Sequence, residues 1–378
     1  MANRKVTRRK FVQTSAAAAA GVAAAGAASK LSAADTKKIL NYNPDMEYRP
    51  CGKTGMMVSA VCFGGHWKRL DKVVPSCNKG GRGWLSFDLN DPGFQKNRHD
   101  VVTRCIERGI NYVDACTVQE CKAYSKALQG RRDKMYFGFS WYQEEMRSLS
   151  NQWQKAKKSG KPMPSGWITQ KLMEALEKGF RETGLEYVDL WRITMHEQSI
   201  KHDNAEVEEM MKALEKAKKE GKARFTGFSS HHRDHIKWMI ETYPQVVDAF
   251  CTPYTAKTKE MPGDSLFQTV RQYKVGWFGI KPFSSNALFK GDSTPNDPQA
   301  EADDRLARLA IRYILCNPTI TAPIPGMIDA RQVDNVAKAV MERRKLDVAE
   351  ARELDQAMDE AWAKLPDDYQ WLKDWEYV

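Results

Sequence analysis

Gly109-Ile110-Asn111-Tyr112-Val113-Asp114-Ala115 decides the fold. Its isoleucine, tyrosine and valine spell a buried strand, entered through a glycine and closed by one carboxylate. In a barrel of alternating strands and helices, the C-terminal ends of the strands carry the chemistry. Asp114 is therefore the first candidate catalytic residue. On either side the same alternation continues, with strands expected at 58–65, 135–139, 187–193, 224–229, 246–251, 275–281 and 320–324.

The segments between them read as helices. Ser165 is placed to cap one whose Ile168, Leu172, Leu176 and Phe180 share a stripe, and Val207, Met210, Met211 and Leu214 form the inner face of another. Asp100 is placed to cap the helix before Tyr112, and further helices begin near Asp234, Asp264, Ala300 and Asp329. Eight strand-helix units without a Gly-x-Gly-x-x-Gly after the first strand argue against a doubly wound sheet. The expected fold class is α/β, a (β/α)8 TIM barrel over residues 46–345. Residues 47–58, with Pro50, Gly52 and Gly55, read as an N-terminal hairpin. Residues 346–378 read as a C-terminal helical tail, with Trp371, Trp375 and Tyr377 packing over a barrel edge or loop. The insertion at 67–96 is far longer than most βα loops, which marks it as functional.

The formal charge of +11 would suggest a nucleic-acid partner, but six of the basic residues lie in the first 34 positions, where no acid occurs. The remainder carries +5, from 53 basic and 48 acidic residues, and has no basic run interleaved with aromatics. Nucleic-acid binding is excluded on that ground. Residues 1–34 have the parts of an export signal: Asn3-Arg4-Lys5, then Thr7-Arg8-Arg9-Lys10-Phe11-Val12, then an uncharged Ala/Gly-rich segment to Ser29. The paired arginines point to the twin-arginine translocase as a partner during export, with cleavage after Ala27 or Ala34. The expectation is a periplasmic or exported protein without a stable membrane anchor, since alanine and glycine contribute little transfer energy. Of the eight cysteines, Cys62, Cys105, Cys251 and Cys316 sit in apolar runs where a thiol packs as a small hydrophobe. Cys116 and Cys121, just after Asp114, leave open a local disulfide or a thiol at the site mouth.

Several pieces together resemble the aldo-keto reductase family: Gly52-Lys53-Thr54-Gly55, the Asp114 strand, Gly184-Leu185-Glu186-Tyr187-Val188-Asp189-Leu190, Glu220-Gly221-Lys222-Ala223-Arg224-Phe225-Thr226-Gly227-Phe228-Ser229, and Ile324-Pro325-Gly326-Met327. The resemblance runs from about Met46 to Val340. Leu190-Trp191-Arg192-Ile193, Ser230-His231 and Gly64-Gly65-His66 look most like exported bacterial members. It implies reduction of a carbonyl by a nicotinamide hydride, with an Asp, a Tyr, a Lys and a His at strand ends. Asp114 matches, but Gln119 stands where the Tyr belongs and Ser140 where the Lys belongs. By counting from Asp189 the His falls on Thr194; if two residues are inserted it is His196, followed by Glu197 as in the family. A phenol donates well near neutrality only beside a cation, so this chain needs another proton donor. His196 or His231 is the expected one, because imidazole titrates near neutrality.

The resemblance also implies cofactor positions. Ser229 and Ser230 would hold the carboxamide, and Cys251 stands where the family usually has Gln. Lys281 and Pro282 would line the phosphates. Gly326, Met327, Asp329, Gln332 and Asn335 match the adenosine-phosphate clamp, with Ile328 replacing the usual Arg. An acidic Asp329 would repel a 2′-phosphate, so the cofactor is NAD or NADP with NAD preferred, and the substrate a small carbonyl compound or carbohydrate. His66, Asp114, Cys116, Glu120, His196, His231 and His232 all fall near strand ends, but their spacing matches no metal site. The alternative function is a non-catalytic barrel that binds a carbohydrate or a protein partner through the 67–96 loop and Trp84.

Overall fold

A computed structural model describes residues 36–375 apart from Arg82, Met261, Pro262 and Asp264. The export segment therefore lies outside the described residues, as do Tyr377 and the side chains of Trp84 and Trp375. Strands β1 (Tyr48–Pro50) and β2 (Met57–Ser59) pair antiparallel, which is the expected hairpin. Seven parallel strands follow in sequential order: β3 (Tyr112–Ala115), β4 (Tyr136–Phe139), β5 (Val188–Thr194), β6 (Ala223–Ser229), β7 (Ala249–Pro253), β8 (Gly276–Ile280) and β9 (Ala322–Pro323). The sheet curls. Cys62–Gly64 lies between its two edges: Phe63 N donates to Tyr112 O (2.9 Å), Cys62 N to Pro323 O (3.0 Å) and Gly64 N to Pro325 O (2.8 Å). The strand expected at 58–65 is thus split, its first residues belonging to the hairpin and its last bridging the sheet edges.

The helices are α1 (Pro92–Glu107), α2 (Val118–Ala127), α3 (Met146–Lys158), α4 (Trp167–Thr183), α5 (Asn204–Lys219), α6 (Arg233–Thr242), α7 (Ser265–Tyr273), α8 (Ala300–Leu315), α9 (Ala330–Met341), α10 (Val348–Ala363) and α11 (Leu372–Trp375). Two expectations change. Asp91, not Asp100, caps α1, accepting from Phe94 N with Pro92 at the first position. Left-handed Gly166 rather than Ser165 precedes α4. The polar stretch before it contains α3. Cys316 follows α8 exposed rather than packed, and Cys116 and Cys121 are both free thiols.

Most of the motif pieces build the N-terminal end of the sheet. Asp189 is buried and accepts from Arg132 (2.6 Å), Arg224 (2.8 Å) and Phe137 N (2.9 Å), which draws together the turn before β4 and the starts of β5 and β6. Asn111 ties the hairpin to β3: Ser59 N donates to its Oδ1 (2.8 Å) and its Nδ2 donates to Met57 O (3.0 Å). Gly52 packs so close to β8 that a Cβ would lie 2.3 Å from Lys274 O. Inside the sheet, Cys62, Tyr112, Leu190, Cys251 and Phe278 form one apolar cluster with the hairpin's Cys51, Met56 and Val58. With the hairpin at that end, the opposite end is left open for polar side chains.

Candidate active site

Side chains alternate faces along a strand. Tyr112 and Leu190 point into the inner cluster, so Asp114 and Arg192, two residues further on, point the same way at the open end. There they pair: Arg192 Nε donates to Asp114 Oδ1 at 2.8 Å, and Nη2 donates to Oδ2. Both are almost fully buried. Burial alone would pull the Arg192 guanidinium's pKa down, but the Asp114 charge, helped by the neighbouring Cys251 and Cys116 sulfurs, holds it well above the usual arginine value.

Ser140 makes a different connection. Its Oγ donates to Glu145 Oε2 (2.5 Å) and lies 2.8 Å from Thr194 Oγ1, which in turn accepts from Arg192 Nη1 (3.2 Å). Glu145 is completely buried and also accepts from Trp141 N (2.8 Å), Thr194 N (2.8 Å) and Trp191 Nε1 (3.3 Å). Burial nonetheless raises its pKa above the usual carboxylate range. Gln119 is turned away from this centre, its Oε1 accepting from Gln143 Nε2 (2.8 Å).

A second buried carboxylate shapes the rim. Glu120 accepts from His66 N (2.6 Å), Cys116 N (2.6 Å) and Thr117 N (3.2 Å), and His66 Nδ1 lies 3.0 Å away. Burial would raise its pKa, but His66 and these amides hold it below the usual range. Gly65 must be glycine here, since a Cβ would meet Glu120 Oε1 at 2.0 Å. Tyr124 donates its phenol to Gly64 O (2.8 Å) in the core.

Asp114, Cys116, Arg192, Thr194, His196, Ser229, Ser230, His231, Lys281 and Pro282 line one cavity of about 1000 Å³. Both histidines favour the neutral form. Burial, then Lys201, lowers the pKa of His196 against an opposing pull from Glu197, with a smaller lowering from Arg147, while burial, then Lys281 and His196, lowers that of His231 well below normal. As acids near neutrality they are poorly suited; as neutral N–H donors they can orient an oxygen. Burial pushes the Cys116 thiol up to about 11 against the pull of Arg192, so it is not a ready nucleophile. The C-terminal tail also enters the cavity. Trp371 stacks on His231 with centroids 4.4 Å apart, and Tyr369 Oη accepts from Lys68 Nζ (2.8 Å) beneath Lys281 Nζ, 5.5 Å from its ring centre. Burial would raise the Tyr369 phenol, but Lys281 and Lys68 bring it below the usual value.

The cavity continues to α8 and α9, where Gly326, Met327, Gln332 and Asn335 line it. Asn335 is engaged by Arg308 (2.6 Å) and by Asp304 O (2.9 Å), and Gln332 accepts from Ile328 N (3.0 Å). Asp329 caps α9 by accepting from Gln332 N (2.8 Å). Two expected contacts depart from a lining role: Cys251 is fully buried beneath Arg192, and Asp329 is turned to its helix, so neither lines the cavity. Between the two arms, Lys281, Ser284, Ser285 and Asn286 all have positive φ, from 49° to 71°. Such backbone costs about 1 kcal/mol or more per residue and persists where the surroundings impose it, typically at ligand sites. Among the described residues Lys281 has no acidic partner, and the buried Ser284 Oγ has no hydrogen-bond partner. A long cavity with a cationic, strained loop at its middle fits a dinucleotide with its phosphates at that loop.

The chain belongs to the aldo/keto reductase family, whose sequence model matches residues 95–359. Its fold is similar to that of aldo-keto reductase AKR11C1 from Bacillus halodurans. The holo form has a TM-score of 0.56 at 18% identity, covering 82% of this chain and 96% of that one. The apo form gives 0.53 with the same identity and coverage. L-galactose dehydrogenase of Arabidopsis thaliana is 23% identical over 195 residues, 47% of this chain. The chain spans 60% of that relative's length.

Arg192, Glu145 and Tyr369 were missed as site residues. Arg192 had a signal: an arginine two residues beyond an inward Leu190 in a buried strand needs a carboxylate opposite it. Glu145 and Tyr369 reach the site through loop and tail paths that carry no periodicity.

Proposed function

We propose that this protein is an exported, NAD-preferring oxidoreductase of small polar carbonyl compounds, with sugars the favoured class, on a complete (β/α)8 barrel in which Cys62–Gly64 serves as the eighth strand. The observation that carries the reading is the continuity of one cavity from the Asp114–Arg192 pair, past the Lys281–Asn286 loop, to α9. When bound, the nicotinamide would supply or accept the hydride. Ser229 and Ser230 would hold its carboxamide, and Lys281 the phosphates. Asp114 fixes Arg192, whose Nη1 and the hydroxyl of Thr194 face the space where a carbonyl oxygen would develop charge. His196 and His231 would orient that oxygen as neutral imidazoles.

NAD preference is supported by the acids around the far end. Arg331 is already ion-paired with Asp304, and Asp329 lies 3.9 Å from it, so the arginine of α9 is not free for a 2′-phosphate. A sugar-like substrate is supported by the Trp371 ring over His231 and by the sugar dehydrogenase among the relatives. Export rests on Arg8 and Arg9; replacing both by Lys should retain the precursor in the cytoplasm, because two ammonium groups do not reproduce paired guanidinium forks. The direct test is fluorescence titration of the mature protein with NADH and NADPH. Quenching that saturates at lower NADH than NADPH supports the reading. Binding of neither nucleotide, with binding of an oligosaccharide instead, would favour the non-catalytic barrel.

A further inference from the structure

We propose that Glu145, Ser140 and Thr194 form a proton relay that ends at the Thr194 hydroxyl in the cavity and replaces the phenol and lysine at this site. The inference rests on the oxidoreductase reading above and assigns its proton source. Each link is a hydrogen bond: Ser140 Oγ donates to the carboxylate form of Glu145 at Oε2 (2.5 Å) and lies 2.8 Å from Thr194 Oγ1; protonation of Glu145 reverses the first bond, and the Ser140 hydrogen then turns to Thr194. Glu145 and Ser140 are fully buried, whereas Thr194 lines the cavity, so the chain joins an interior carboxyl group to the site by one route.

The surroundings suit a carboxyl that exchanges a proton. Three N–H donors, from Trp141, Trp191 and Thr194, hold the carboxylate form, but among the described residues no cation contacts it directly. The charged and titratable groups facing it are few. From α2, Cys121 donates its thiol to Ser140 O (3.3 Å), and burial holds that thiol neutral; from β5, Arg192 is reached only through Thr194 and is neutralised by Asp114. A buried glutamate without a counter-cation sits closer to its protonated form than an exposed one.

In the reductive direction a reduced nicotinamide, when bound, would supply the hydride for the new C–H bond, and the carbonyl π pair would move to oxygen. That oxygen takes the Thr194 hydroxyl proton, Thr194 takes the proton of Ser140, and Ser140 takes that of Glu145. One hydride and one proton are consumed; Glu145 is left as a carboxylate on its three N–H donors and is reprotonated from solvent through the same hydroxyls after product leaves. Oxidation runs the chain backwards.

The test uses the full mature chain and four variants: Glu145→Gln, Ser140→Ala, Thr194→Val and Thr194→Ser. Infrared difference spectra between the parent and Glu145→Gln should contain a protonated carboxyl band that persists above the pH at which ordinary glutamates ionise, and Ser140→Ala should shift it. With cofactor and substrate, Thr194→Val should lower kcat by about a hundredfold and move its pH profile. Thr194→Ser should restore both, and NADH fluorescence quenching should be unchanged in either. A parent that lacks the band, or a Thr194→Val variant with the parent's kcat and pH profile, would overturn the relay. So would a rate that collapses in Tyr369→Phe but not in Thr194→Val. If the parent binds neither nucleotide, the oxidoreductase reading fails, and the infrared band still decides whether Glu145 stores a proton.

Discussion

Arg192 grips Asp114 through two nitrogens, Nε at 2.8 Å from Oδ1 and Nη2 on Oδ2, with both side chains sealed from solvent. The two charges come from neighbouring parts of the sheet, β5 and β3, and neither has another opposite charge within ion-pair distance among the described residues. Breaking such a pair on one side leaves a buried charge uncompensated, which costs about 3–5 kcal/mol. Arg192→Met should therefore unfold in urea at a markedly lower midpoint. Arg192→Lys should recover only part of the loss, since one ammonium cannot span both oxygens. A midpoint for Arg192→Met equal to the parent's would remove the pair from any structural or catalytic account.

Glu120 gives a pH-dependent prediction. Its folded pKa is depressed, so the stability it contributes is fully present above the unfolded glutamate value near ~4.3 and is lost as pH falls through the folded value. Glu120→Gln should flatten the acid limb of the unfolding curve while lowering stability at neutral pH, since His66 N, Cys116 N and Thr117 N lose a charged acceptor. Thermal melts from neutrality down to below the unfolded glutamate value of about 4.3 measure both. Gly65→Ala should destabilise at every pH, because the added methyl group meets the carboxylate itself.

How much of this was readable without the structure depends on whether the signal was local. The strand order followed from apolar runs punctuated by turns, and Asp189 and its partner Arg224 lie within the motifs that carried the family resemblance. Asp114 was legible because a strand's last inward residue is fixed by its period. Arg192 was present in a quoted motif, yet its role depended on the registers of β3 against β4 and of β4 against β5, which the sequence does not state. Glu145 sits in a polar stretch whose return over β4 and β5 is set by hydrogen bonds to Thr194 N and Trp191 Nε1, not by any repeat. The two histidines were chosen for imidazole's ordinary pKa; burial, invisible in the sequence, moves both down.

Tyr369 ties the tail to the cavity through Lys68, which also donates to Ser285 Oγ (2.8 Å). Its folded pKa is lowered, so in an alkaline spectrophotometric titration one tyrosine should ionise before the others, and that early step should vanish in Tyr369→Phe. Lys68→Met should move the step to higher pH by removing one of the two cations. It should also raise the NADH dissociation rate, because the tail then loses its hydrogen bond at the cavity and keeps there only the Trp371–His231 stack and the Lys281 contacts with the Tyr369 and Trp371 rings. An unchanged titration in Tyr369→Phe would mean the phenol is not poised by the lysines.

Placing a tyrosine at 119 and a lysine at 140, the pair that the resemblance implies there, tests whether residue type or setting limits the chemistry. With no phenol beside a lysine at positions 119 and 140, reduction of generic aldehydes such as nitrobenzaldehyde should be weak. On the sequence alone, Gln119→Tyr with Ser140→Lys ought to raise it cooperatively, because the lysine acts only through the phenol. The geometry reverses that expectation. Gln119 bonds to Gln143 outside the cavity, so a tyrosine there starts from the wrong side of α2. Ser140 is fully buried between Glu145 and Thr194, so a lysine there must displace their hydrogen bonds and bring its charge beside Arg192. The double variant should be less stable than the parent, with aldehyde reduction no higher. Steady-state rates with NADH, set against the urea midpoint of each variant, decide the matter: a cooperative gain in rate would show that α2 can turn residue 119 into the mouth.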